Sequence, residues 1–159
     1  ILSILNPDDY PDAMYQQNNS VQAIGSGQLY GKLILDDNNE IRGSKYVAVA
    51  ESDFIFSVIG EELGFIGSCA VIGLLILVVI QCIITSMKAA DYTGMLIAIG
   101  LSSMFAFQVF VNIGVATSIL PNTGLPLPFI SYGLSSLMGS MMGIGIIINI
   151  GIQRKNYRR

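Results

Sequence analysis

Histidine is absent from this chain, and cysteine occurs only at Cys69 and Cys82. That pairing leaves no basis for a zinc site, which draws its ligands chiefly from those two residue types. Both cysteines fall inside one apolar run, so they form no disulfide framework and read as buried thiols packed as small hydrophobes. Charge is scarce as well, at 12% of residues against roughly 25% in a soluble domain. It is also uneven: ten acidic and three basic residues precede Leu63, whereas one acidic residue, Asp91, and five basic ones follow Glu62. The net charge of −3 therefore averages an acidic head with a basic tail. A nucleic-acid binder needs a basic face, and none exists outside the last six residues. No signal-peptide pattern opens the chain. It begins on Ile1 in mid-phrase and reads as the C-terminal piece of a longer membrane protein.

What the chain has in abundance is apolar length. Residues 63–85 carry no charge and reach the ~20 residues a bilayer crossing requires. After a short loop marked by Lys88 and Asp91, residues 93–120 form a second such span, and residues 134–152 a third. The expected fold is all-α, a polytopic helical membrane protein with three transmembrane helices and one large extracytoplasmic loop. Gln108 and Asn112 lie four apart on one face of the second span. Amides at that depth face a bundle or a cavity, either as glue between helices or as substrate contacts. The third span carries Gly139-Ser-Met-Met-Gly143, a small-residue face suited to close helix packing.

Residues 1–62 read as a loop with short interfacial helices, because turn signals dominate: Asn6-Pro7-Asp8-Asp9, Tyr10-Pro11-Asp12, Gly25-Ser-Gly27 and Asp36-Asp-Asn-Asn39. Short ordered pieces are expected at Ser20–Ile24 and Leu29–Leu35. Two motif look-alikes fail. Gly25 to Lys32 has one residue too many for a phosphate-binding P-loop, and Leu33 replaces the Mg²⁺-ligating hydroxyl. In Asp36–Gly43, Ile41 stands where a calcium loop needs glycine, and Val47 replaces its bidentate glutamate.

The stretch from Asp53 to Gly67 joins this loop to the first span and sets Asp53, Glu61 and Glu62 at the water–lipid boundary. Ionised groups there are costly unless solvated, paired or used. Either they mark the aqueous end of a helix, or one of them is a catalytic base for a lipid-borne substrate. Residues 121–133, Pro121-Asn-Thr-Gly-Leu-Pro-Leu-Pro-Phe-Ile-Ser-Tyr-Gly133, break helical structure three times with proline while staying apolar. Such a segment is tolerated near a membrane when buried in protein or lining a wet cavity. Arg154, Lys155, Arg158 and Arg159 put the tail, residues 153–159, in the cytoplasm by the positive-inside rule. Residues 1–62 and 121–133 then share the outer side, which brings Asp53 and the proline-rich loop to the same face.

Five stretches in order resemble the SEDS family (shape, elongation, division and sporulation) of FtsW, RodA and SpoVE. They are Asn6-Pro7 with Tyr15-Gln16, Ser20-Val-Gln-Ala-Ile-Gly-Ser-Gly27 with Gly31-Lys32, Asp53-Phe-Ile-Phe with Gly60-Glu-Glu-Leu-Gly64, Gln108 with Asn112-Ile-Gly114, and Gly124-Leu-Pro-Leu-Pro-Phe-Ile-Ser-Tyr-Gly133. The resemblance covers nearly the whole chain. It implies the large outer loop and last three of about ten helices of a peptidoglycan glycosyltransferase of the bacterial plasma membrane. That enzyme polymerises lipid II, a disaccharide-pentapeptide on undecaprenyl pyrophosphate, beside a class B penicillin-binding protein. The resemblance places the catalytic carboxylate on Asp53, which suits an inverting transfer needing one base at the acceptor hydroxyl; a partly buried carboxylate can act so. Ser131, Gln108, Asn112, Lys32, Glu61 and Glu62 are the candidate substrate-binding residues. Glu61 and Glu62 are equally read as charges complementing a helix dipole.

A leaving pyrophosphate calls for cations, from a divalent metal ion or from basic side chains. Outside the membrane this chain offers Lys32, Arg42 and Lys45, and no metal ligand or cofactor is assigned. Departures from the family pattern fall at Gln28, Glu51 and Leu134, the first and last where the family has glycine. Two other classes stay open. A lipid-linked precursor flippase would spread polar groups through the bilayer depth, and a non-catalytic division scaffold would have no use for Asp53.

Overall fold

The computed structural model describes residues 11–32 and 52–157, with side chains from 15 to 32 and from 53 to 153. Expectations placed on Asn6-Pro7, Leu33–Leu35, Asp36–Gly43, Lys45, Glu51, Arg158 and Arg159 lie outside those residues. Among the described residues there are four α-helices: α1, Pro11–Ser26; α2, Ile55–Met87; α3, Tyr92–Ala116; and α4, Leu134–Tyr157. A single 3-10 turn, Ser52–Phe54, leads into α2. No strand occurs among the described residues. Three of the helices are long and apolar enough to cross a membrane: Ile55–Met87, Tyr92–Ala116 and Leu134–Gln153.

Helix α2 is two helices joined across a kink at Gly64, whose φ of 67° and ψ of −166° lie in a region essentially reserved for glycine. The part after the break, ~34 Å long at 1.5 Å per residue, matches the hydrocarbon thickness. The part before it is the helical continuation of the Asp53 turn. A break leaves amides of the second half without intrahelical acceptors. Here the Phe65 and Ile66 amides donate to the Gln28 and Leu29 carbonyls at 2.9 and 3.2 Å. The end of α1 thus completes the interrupted helix.

That crossing requires bare backbone. A Cβ on Gly27 would lie 2.0 Å from the Gly60 oxygen, and one on Gly31 2.1 Å from the Glu62 oxygen. The Gly25–Lys32 stretch and the Gly60–Gly64 stretch are therefore two sides of one contact.

Helix α1 is longer than the short piece expected at Ser20–Ile24. Its polar run, Gln16-Gln-Asn-Asn19, gives little apolar periodicity to read. Tertiary bonds hold it instead. Ser20 Oγ donates to the Ala116 oxygen at 2.8 Å, and Gln17 Nε2 to the Leu120 oxygen at 2.8 Å. These are carbonyls at and just beyond the end of α3, which have no helical partner of their own.

Helix α3 stops at Ala116, short of the expected Leu120. The Ile119 and Leu120 amides fold back onto the Gly114 oxygen, both at 2.9 Å, and Ser118 turns left-handed with φ 59°. Helix α4 runs past residue 152 into the expected tail.

The three long helices meet over Cys82, Ala98, Phe105 and Ile147, with Phe129 of the proline-rich loop packed against them. Cys82 behaves as expected, but Cys69 does not: it is exposed on α2 rather than buried. Spacing explains this. Thirteen positions at about 100° each put the two on nearly opposite faces of α2, so Cys82 enters the three-helix core while Cys69 borders a cavity with Ile24 and Thr117.

Candidate functional site

The site begins at the 3-10 turn. Phe54 is buried against Val111 and Val115, with Leu120 and Leu125 closing over it. Burying one such ring stabilises by roughly 1.5–3 kcal/mol, which fixes the backbone of its neighbour Asp53 against α3. The Asp53 side chain stays half-buried. Its Oδ2 lies 3.5 Å from where a Cβ would project at Gly124 of the proline-rich loop. Gly124 adopts φ 65°, and its amide donates to Asn122 Oδ1 at 3.2 Å, a local turn that a β-carbon would strain. Asp53 thus lies beside the proline-rich loop, a closer relation than the shared side of the membrane expected from the sequence.

Asn112 joins the two segments. Its Nδ2 donates to the Asp53 backbone oxygen at 2.9 Å and to the Leu125 oxygen at 2.7 Å. The side chain is 1% exposed, and its Oδ1 is buried without a partner. A buried amide retained for stability alone would satisfy both ends, because an orphaned acceptor costs about 1–3 kcal/mol.

Ser131 sits at the other end of the loop and is also buried. Its Oγ accepts from the Leu127 amide at 2.7 Å, and its own amide donates to the Leu127 oxygen at 3.1 Å. Between them Phe129 is held at φ 68°, unfavourable for a bulky residue. Its ring packs on Phe105 with centroids 5.4 Å apart, and that contact offsets the strain.

Lys32 and Glu61 form an ion pair, Nζ to Oε1, at 2.6 Å. The Glu61 carboxylate is 7% exposed and its Oε2 has no partner, whereas the lysine side chain is 41% exposed. Glu62, the next residue, points outward. Gln108 is half-buried one turn below Asn112. The structure therefore brings Asp53, Asn112 and the proline-rich loop together. Lys32 and Glu61 form a separate pair beside the α1–α2 crossing. Sequence reasoning missed Gly124 and the use of Asn112 on backbone carbonyls; only the Asn122-Thr-Gly124 turn signal pointed to the former.

Two apolar cavities share Ile72, Ile113 and Thr117: one of about 390 Å³ between α2 and α3, and one of about 410 Å³ that Ile24 and Gln28 also line. Asp53 lines neither. Among the described residues no three His, Cys, Asp or Glu side chains group as metal ligands. Glu61 is already paired with Lys32, so the described residues do not fit a metal centre.

Known proteins resemble this chain over nearly its whole length. The chain is 39% identical over 151 residues to a probable peptidoglycan glycosyltransferase FtsW from Trichlorobacter lovleyi, covering 94% of this chain and 39% of that protein. It is 38% identical to the stage V sporulation protein E of Bacillus subtilis, over 94% of this chain and 40% of that one. Among solved structures, a chain of a peptidoglycan synthase complex that coordinates polymerization and crosslinking superposes with a TM-score of 0.77. It is 30% identical, over 96% of this chain and 40% of that chain. An aspartate-to-alanine mutant of the rod shape determining protein RodA from Thermus thermophilus gives 0.64 at 34% identity, over 85% of this chain and 40% of that chain. The chain spans about 40% of the length of the curated relatives it matches. The family pattern for cell cycle proteins matches residues 1–156, so the chain belongs to the FtsW/RodA/SpoVE family.

Proposed function

We propose that this chain supplies the catalytic outer part of a membrane peptidoglycan glycosyltransferase that polymerises lipid II into glycan strands. The single observation that carries the reading is the Asp53 carboxylate, held half-buried against the bare backbone of Gly124 where the 3-10 turn and the proline-rich loop meet. In this reaction the acceptor sugar hydroxyl attacks the donor anomeric carbon. Asp53 takes the hydroxyl proton as the new C–O bond forms, and the undecaprenyl pyrophosphate leaves with the electrons of the bond that breaks. One base and an inverting route suffice, and no water takes part. Glu62 and Gln108 are the substrate-side candidates whose side chains the fold does not commit elsewhere. Ser131, Asn112, Lys32 and Glu61 are engaged in bonds within the chain. The charge opposite the pyrophosphate comes from outside the described residues.

The topology proposed with it puts Asp53 and the proline-rich loop on the outer face of the bacterial plasma membrane, with the basic tail in the cytoplasm. The partner is a class B penicillin-binding protein, the transpeptidase that cross-links the strands made here. A flippase needs polar groups spread through the bilayer depth, whereas Asn112 is bound to two backbone carbonyls beside Asp53 and Gln108 is left as the one uncommitted amide of α3. That favours surface chemistry.

The test is lipid II polymerisation by the full-length protein with its partner, comparing wild type with Asp53→Asn. The side chains are nearly isosteric, and the bond from Asn112 goes to the Asp53 backbone, so the fold is kept. Loss of the base should lower turnover by roughly 10²–10⁴-fold. A variant that polymerises at the wild-type rate would reduce Asp53 to a boundary charge.

A further inference from the structure

We infer that Asn112 is a positioning residue, whose amide fork sets where the Asp53 carboxylate stands relative to the proline-rich loop. The inference rests on the reading of Asp53 as the base.

Three observations carry it. First, the two carbonyls that Asn112 binds belong to segments far apart in the chain, 59 residues before it and 13 after it. Neither segment is a regular helix, so neither brings a hydrogen-bond ladder of its own to fix their spacing. Second, an NH₂ group offers two donors at a fixed angle, so the two contacts at 2.9 and 2.7 Å define both the separation and the orientation of those carbonyls. No single-donor side chain can do this. Third, Oδ1 of the same amide is buried with no partner. A residue kept only to fill the core would be apolar at that position, as its neighbours Val111 and Val115 are. The amide is there for its donors.

The consequence concerns geometry rather than affinity. Asp53 is fixed by the burial of Phe54, which follows it, and by the bond from Asn112 to its own carbonyl, while the loop residue facing its carboxylate, Gly124, directly precedes the Leu125 that Asn112 holds. Releasing the fork lets turn and loop move independently, and the carboxylate loses its register with the acceptor hydroxyl. A misplacement of the order of 1 Å can cost about 10²-fold in rate. Substrate binding does not depend on this bond, so kcat should fall while KM holds.

Two variants test this in the full-length protein with its partner, with activity expressed per assembled complex. Asn112→Leu removes both donors at similar size. Asn112→Gln keeps the fork but sets it one methylene further out. The expected result is complexes that assemble, with kcat lower by about 10²-fold for Asn112→Leu and by a smaller factor for Asn112→Gln, and KM for lipid II within about twofold in both. A purely structural role would instead reduce the amount of complex and leave kcat per complex at the wild-type value; that outcome overturns the inference, as does a change in KM alone. Should Asn112→Leu fail to assemble, Asn112→Gln decides by the same criteria, because it leaves no carbonyl without a donor. Asp53→Asn run in parallel separates the two levels. If it is active, the reading of Asp53 falls and this inference with it. If it is inactive while the Asn112 variants turn over normally, only the inference falls.

Discussion

Gly31 and Gly64 touch backbone to backbone: a Cβ on Gly64 would sit 2.3 Å from the Gly31 nitrogen. Both residues have positive φ, 77° and 67°. The contact lets the end of α1 cap the broken α2 and joins the outer segment to a membrane helix.

Substituting Gly64→Ala should therefore unfold this junction. Backbone in this glycine-only region costs another residue roughly 1–3 kcal/mol, and forced overpacking adds about 1–3. Thermal unfolding of the detergent-purified full-length protein should show a large fall in Tm. Gly73→Ala is the control on the same helix: a Cβ there meets nothing within 4 Å, and alanine in a helix interior is better than glycine by about 0.5–1 kcal/mol. Equal effects of the two substitutions would mean that the crossing is not formed in the folded protein.

Gln28 lies at the same crossing with φ 51°, a left-handed conformation imposed on a residue that favours right-handed backbone. Its carbonyl is one of the two that cap α2. Gln28→Gly removes a strain of roughly 1–2 kcal/mol at an entropic cost of about 0.4–1 kcal/mol. The strain is the larger quantity, so the variant should raise Tm by a few degrees. A fall would show that the glutamine side chain holds this turn.

The ion pair of Lys32 with Glu61 is lopsided, since the carboxylate is buried and the ammonium is not. Removing Lys32 strands a buried charge, whereas neutralising Glu61 removes the charge that is costly to bury. Lys32→Met should therefore destabilise more than Glu61→Gln. The loss from Lys32→Met should stay below the 3–5 kcal/mol seen for wholly buried pairs, because water reaches the lysine. Chemical denaturation of both variants gives the order. The reverse order would place the Glu61 carboxylate in water.

Much of this architecture was legible in the sequence. Long charge-free runs predict membrane helices because every backbone polar group in lipid must be satisfied within its own segment. That requirement is local, so a sequence window suffices to read it. The break in helical structure at the proline-rich loop is local in the same way, whereas its placement beside Asp53 is not.

What the sequence left open depends on partners distant along the chain. Helix α1 is held by Ser20 and Gln17 on the end of α3, about a hundred residues away, so a polar window gave only a fragment of it. Leu134 and Gln28, both expected to be glycine from the family resemblance, differ in kind. Leu134 opens α4 with an exposed side chain and no left-handed backbone, while Gln28 carries the strain. Asn112 reads equally as helix glue or as a substrate contact until the Asp53 and Leu125 carbonyls are seen beneath its donors. Residue type and period set which segments cross the membrane. Only the tertiary structure decided which backbone carbonyls an amide meets, because that depends on where three separate segments converge.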